Sequence, residues 1–115
     1  MRGSAPADLI AKAGKLLSNP GNWCQGALAR TARDKICCPM SKKAKAWDMA
    51  GAAYHVAYVK PTDFKDYGLN DVGHMLAVFQ IAARKLYNTG FVTVNDTMGH
   101  TEVMEVMRAA YKMIR

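Results

Sequence analysis

The segment "TVNDTMGHTE", residues 93–102, holds the densest set of chemically capable side chains in the chain: Asn95, Asp96, His100 and Glu102. A histidine beside a carboxylate can move protons when the two lie within hydrogen-bond reach. Asp96 and His100 are therefore the candidate catalytic pair. Trp23, Gln25, Asn95 and Asp96 make up a candidate ligand pocket around it. A structural reading competes. Asn and Asp close turns with their own side chains, and Asp96, Thr97 or Thr101 can cap a helix that follows. No H-x-x-x-H, H-E-x-x-H or activated-serine pattern accompanies the cluster. The turn-and-cap reading is preferred, and an enzyme is the secondary expectation.

The remaining metal-capable residues are sparse. His55 and His74 fall in no recognised ligand spacing, and His55 reads as a partly buried, satisfied histidine beside an apolar stripe. Cys24, Cys37 and Cys38 are odd in number and lack the C-x2-C type spacing of zinc sites. They are expected to be free thiols, used mainly as small buried apolar side chains. No metal and no cofactor is expected.

Charge gives a second candidate. The net charge is +7. Residues 1–60 carry ten Lys/Arg against three Asp/Glu, and residues 61–115 carry six against six, so the whole excess sits in the first half. A one-sided positive field favours an anionic partner. Arg30, Arg33, Lys35, Lys42, Lys43 and Lys45 form the candidate binding set. Lysines in the first turn of a helix would oppose its dipole but suit phosphate. No helix-turn-helix, zinc-finger, RRM or KH signature is present, so sequence-specific DNA reading is not indicated. Trp23 and Trp47 are expected to pack in the core or hairpin; if partly exposed, either can stack on a base.

These residues need a scaffold, and 115 residues that are 50% hydrophobic suffice for one core. Residues 1–6 are expected to be a flexible N-terminus, "MRGS" having the pattern of an expression-vector remnant, and residues 7–115 a single domain. "APADLIAKAGKLLSN" predicts a first helix, with Leu9, Ile10, Ala13, Leu16 and Leu17 on one face and Asn19-Pro20-Gly21 as its stop. A hairpin is expected next, from Trp23, Gln25, Ala27, Ala29 and Thr31 through the turn "ARDK" to the short return "ICC", with Thr31 opposite Ile36. That register argues against a hairpin disulfide. Gly26 suggests a bulge or close backbone approach. A second helix is expected over 41–59, capped by Ser41, with Trp47, Ala50, Gly51, Tyr54 and Tyr58 on one stripe. A loop over 60–71 precedes a third helix over 71–88, whose core face is Val72, Met75, Leu76, Phe79, Ala82, Ala83 and Leu86. Gly90 is expected to be its left-handed cap and "FVTV" an extended segment. The last helix covers 100–115, with Val103, Val106, Met107, Ala110 and Ile114 facing inward. The fold class is α+β, mainly helical: four helices with one small β-hairpin between helices 1 and 2.

Three blocks carry a family resemblance: "GNWCQGALARTARD" at 21–34, "AWDMAGA" at 46–52 and "VNDTMGHTEVMEVM" at 94–107. In that order they resemble an uncharacterised bacterial and phage family, a domain of unknown function. The family shares a Trp-x-Gln-Gly-Ala-x-Ala-Arg segment, a Trp-Cys-x-x-Gly-Ala segment and a Trp-Asn-Asp segment before a helix. The first matches at Trp23, Gln25, Gly26, Ala27, Ala29 and Arg30, the second at Trp47, Gly51 and Ala52, and the third at Asn95 and Asp96. Asp48 stands where the family often has Cys, and Val94 where it often has Trp. The resemblance covers about residues 8–110, and it implies a fold without an activity.

The leading expectation is a small non-enzymatic binding protein that meets an anionic macromolecule, nucleic acid or a nucleic-acid-handling protein complex, through its basic half. A phage-type inhibitor of a host or defence machine fits such a product. A small-ligand binder or hydrolase-like enzyme using Asp96 and His100 is the first alternative. A structural or oligomeric component, using some of the eight methionines as an adaptable surface, is the second. No apolar run approaches the roughly 18 residues needed to span a bilayer and no export signal is recognised, so a cytoplasmic setting, bacterial or in a phage-infected host, is expected.

Overall fold

The computed structural model of the protein describes residues 5–58 and 66–115. Among these, five α-helices and one two-stranded antiparallel sheet follow in the order α1 (Ala5–Leu17), a single 3-10 turn (Pro20–Asn22), β1 (Ala29–Thr31), β2 (Ala44–Trp47), α2 (Met49–Ala57), α3 (Asp66–Tyr87), α4 (Phe91–Thr97) and α5 (His100–Ile114). The chain is mainly helical with a small hairpin. Five helices replace the four expected. Counted with the 3-10 turn, the hairpin falls between the second and third helical segments.

The three strongest amphipathic patterns become the frame. α1 buries Ile10, Ala13 and Leu17; α3 buries Val72, Met75, Val78, Phe79, Ala82 and Ala83; α5 buries Val103, Val106, Met107 and Ala110. α1 packs on α2, α3 and α5, and α3 on α2, α4 and α5, so these apolar stripes meet in one core. Leu86, expected on the core face of α3, is instead 47% exposed, while Val78 takes a core place. α1 ends without a glycine cap. Its orphan carbonyls are met by Ser18 Oγ on Lys15 O, Asn22 Nδ2 on Leu16 O and His100 on Leu17 O.

Residues 1–4 and 59–65 lie outside the described residues, and with them most of the expected flexible N-terminus and part of the expected 60–71 loop. Ala5 and Pro6 already belong to α1, and residues 66–71 belong to α3.

The expected hairpin differs in both strands: of the first, only Ala29–Thr31 is strand, residues 24–28 are irregular and Trp23 makes only an isolated bridge to Trp47. Thr31 does build the tight turn: its hydroxyl accepts the Arg33 and Lys35 amides, its carbonyl accepts Asp34 N–H, and Asp34 sits at φ 64. The return "ICC" supplies only an isolated bridge, Arg30 to Ile36 rather than Thr31 to Ile36, and one bond from Cys37 N–H to Ala29 O. The full partner of β1 is β2, in the register Ala29–Trp47, Arg30–Ala46 and Thr31–Ala44, with an irregularity between Arg30 and Thr31. β2 occupies the first part of the expected second helix. Ser41 therefore caps no helix; its hydroxyl accepts Lys43 N–H within a turn that leads into β2. The N-cap of α2 is Asp48, whose carboxylate accepts Gly51 N–H at 2.6 Å.

Two corrections fall at the far end of α3. The left-handed residue is Asn88, at φ 56, and not Gly90, which sits at φ −75 as the N-cap of α4. "FVTV" is helical. Gln80 of α3 accepts the Phe91 amide at 3.0 Å, which caps the short α4, and Val94 and Asn95 face the interior.

Candidate functional site

Asn95 is 2% exposed and all four of its amide bonding directions are used. Its Oδ1 accepts from Trp23 Nε1 at 2.9 Å and from the Met49 amide at 3.1 Å. Its Nδ2 donates to Cys24 O and to Asp96 Oδ1, each at 3.0 Å. One side chain thus joins the segment after the 3-10 turn, the start of α2 and the end of α4. Its neighbours add to the same seam. Gln25 Nε2 donates to Asn95 O and Met98 O, each at 3.0 Å. Gly26, at φ 77, donates its amide to Asp96 Oδ1 at 3.0 Å. A positive φ is cheap for glycine and strained for other residues.

His100 is bonded to a different partner from Asp96. Its Nε2 lies 2.6 Å from Leu17 O, and a carbonyl only accepts, so Nε2 carries the proton and donates. Its ring tilts against Trp23 at a centroid distance of 5.6 Å. The last helix is capped by neither Asp96 nor a threonine: Glu102 Oε1 accepts the amide of Gly99, the N-cap of α5. Asn95, Asp96 and His100 thus clamp segments distant in the sequence, with the catalytic candidates Asp96 and His100 each bonded to backbone elsewhere.

Two of the four candidate pocket residues, Trp23 and Gln25, line a polar depression of about 370 Å³ together with Cys24, Arg30 and Asp34. Asn95 and Asp96 do not line it. The Cys24 thiol there is pushed up to about 11 by burial and by the nearby Asp48 carboxylate, which keeps it protonated and a poor nucleophile at neutral pH. Cys24 and Cys37 are half-buried and Cys38 is exposed, all as free thiols, so these cysteines are less buried than expected.

Asp48 is the residue that sequence reasoning passed over. Burial pushes its carboxyl up to about 6, with the Asp96 charge adding to the rise and the Gly51 and Ala50 amides opposing it. The spacing "DMAG" carried a readable cap signal. The reason for Gly51 was not readable: a Cβ there would meet Leu28 O at 1.8 Å. Trp47, buried beside it, donates Nε1–H to Pro39 O, the same carbonyl that His55 Nδ1 reaches at 3.0 Å. His55 is thus half-buried and partnered as expected, and His74 is exposed.

Five of the six basic candidates share one concavity. Arg33, Lys35, Lys42, Lys43 and Lys45, with Thr31 and Ala32, line a hollow of about 560 Å³. The Thr31 turn presents Arg33 and Lys35, the Ser41 turn presents Lys42 and Lys43, and β2 turns Lys45 outward between buried Ala44 and half-buried Ala46. Arg30 is drawn away. It donates to Gln25 O and Asp34 O and pairs with the Asp34 carboxylate at 3.7 Å. The expected route through a lysine-bearing helix start is overturned, because these lysines precede β2 and α2 begins only after Asp48.

No group of His, Cys, Asp and Glu among the described residues has the arrangement of a metal site, and no helix among them is long and apolar enough to cross a membrane. No curated protein and no solved structure matches the chain. A family model matches residues 1–113, and the chain belongs to the family of unknown function DUF6197.

Proposed function

We propose that the protein is a non-enzymatic binding protein whose basic hollow at the hairpin contacts the phosphate backbone of nucleic acid. The observation that carries this reading is the gathering of Arg33, Lys35, Lys42, Lys43 and Lys45 from two separate turns and a strand around one 560 Å³ hollow. Lysines that only kept the protein soluble would have no reason to converge. The rest of the lining is Thr31 and Ala32, with no aromatic ring for stacking a base, which favours contact with phosphates over reading of sequence. The same surface suits the acidic face of a nucleic-acid-handling complex, and a phage-type product that blocks a host or defence machine would use it so. The alternative of acid–base catalysis by Asp96 and His100 draws little support from their geometry, since both are spent on backbone partners.

The test is binding to mixed-sequence oligonucleotides, single- and double-stranded, at low salt. Charge reversal at Arg33, Lys35, Lys42 and Lys43 together is expected to weaken binding at least 100-fold while the thermal unfolding midpoint stays within a few degrees. Unchanged affinity after reversal, or no binding by the wild type at low salt, would overturn the nucleic-acid reading.

A further inference from the structure

A second concavity lies between α1 and α5. It holds about 430 Å³ and is open to solvent, a volume in the range of small-molecule sites. Ile10, Ala11 and Gly14 of α1 line one side, and Met104, Met107 and Tyr111 of α5 line the other. Arg108 and Lys112 of α5 and its C-cap Arg115 complete the lining, one row of cations at helical spacing. Among the described residues none of the three forms an ion pair.

Gly14 is the independent clue. It sits inside α1, where glycine costs about 0.5–1 kcal/mol relative to alanine. A Cβ at Gly14 would meet nothing within 4 Å, so no contact among the described residues calls for glycine there. Its missing side chain leaves room in the hollow itself.

We infer that this groove binds a single-chain anionic amphiphile, a free fatty-acid carboxylate, with its alkyl chain along Ile10, Met104 and Met107 and its carboxylate at the Arg108–Lys112–Arg115 row. Complementarity of charge and polarity selects this occupant. The lining is apolar along its floor, and its charged groups are all cations. Methionines adapt to a flexible chain at little cost. A second copy of the protein would bring a like row of cations and a net charge of +7 against the first.

The experiment titrates the full chain with octanoate, decanoate and laurate below their micelle concentrations, read by calorimetry and by amide NMR shifts. Dodecyltrimethylammonium is the charge control. One laurate per chain is expected, with affinity rising about fourfold per added methylene and shifts confined to α1 and α5. Gly14→Leu is expected to fill the groove and abolish binding with an unchanged or higher melting temperature. Ala11→Phe, at an exposed position of the same wall, is the second blocking variant should Gly14→Leu fold poorly. Arg108→Gln with Lys112→Gln is expected to weaken laurate binding at least tenfold. The proposal is overturned by any of four results: no binding at millimolar laurate, equal binding of the cationic surfactant, several laurates per chain indifferent to both blocking variants, or a dimer in sedimentation that buries this face.

Discussion

Asn95 shows how a residue type that suggests chemistry can be consumed by architecture. A buried amide left unpaired costs about 1–3 kcal/mol, and this one satisfies a tryptophan N–H, a backbone amide, a backbone carbonyl and a carboxylate. A side chain so committed keeps no valence for a ligand. Asp48 differs, because its bonds leave it with a titration that can be measured. Its folded-state pKa of about 6 lies above the roughly 3.9 of an unfolded aspartate. The folded protein therefore holds the extra proton between about pH 4 and pH 6, and the stability contribution is complete below pH 4 and is lost as the pH rises through 6. The slope in that window is at most about 1.4 kcal/mol per pH unit. Asp48→Asn keeps a cap that can accept the Gly51 amide and removes the charge. Relative to the wild type it is expected to gain roughly 1–2 kcal/mol between pH 4.5 and pH 7, measured by urea unfolding at both values. A difference that is constant across those two pH values would mean that Asp48 does not titrate in this window.

At the scale of elements, legibility followed the source of each element's stability. α1, α3 and α5 could be read because their own apolar stripes define them, and their buried faces coincide largely with the residues that periodicity selected. β2 and α4 could not, because partners impose them. "SKKAKAW" has good helix formers and a serine at its start, yet pairing with Ala29–Thr31 and the Trp47 bond to Pro39 O hold Ala44–Trp47 extended. "FVTV" is β-branched, yet Gln80 caps it and burial of Val94 and Asn95 fixes it as helix. The basic candidates were legible as a set, although their geometry was not: the hollow arises because Lys42–Lys45 fold back beside the Thr31 turn. The junction of β1 with α2 offers a direct check of this account. Leu28 O accepts the Asp48 amide at 3.2 Å and lies where a Gly51 Cβ would stand, at 1.8 Å. Leu28 O and Leu28 C, the latter at 2.7 Å, are both backbone, so Gly51→Ala must force the strand and helix apart. It is expected to cost about 4 kcal/mol or more, whereas Gly14→Ala, with nothing within 4 Å, is expected to gain about 0.5–1 kcal/mol. Urea unfolding of the two variants separates these outcomes, and a Gly51→Ala cost near 1 kcal/mol would contradict the described junction.

At the scale of the molecule, the question is whether an anionic partner would feel a site or only a charged object. The excess of +7 belongs to residues 1–60, but residues 61–115 supply Arg108, Lys112 and Arg115 at the α1–α5 groove. A polyanion drawn by net charge alone would use both groups alike. A polyanion seated in the hairpin hollow would use one. Salt dependence distinguishes them, since each phosphate neutralised on duplex DNA contributes about −0.9 to the slope of log K against log salt. Five cations in one hollow predict a slope of about −4.5, equivalent to roughly 500-fold weaker binding between 50 and 200 mM salt. Lys42→Gln with Lys43→Gln is then expected to reduce the slope by about 2, at every sequence tested. Arg108→Gln with Lys112→Gln removes the same charge elsewhere and is expected to leave the slope unchanged. Equal losses from the two pairs would reduce the hollow to a share of the overall field, and the larger loss from the hairpin pair alone would identify it as the surface where phosphate sits.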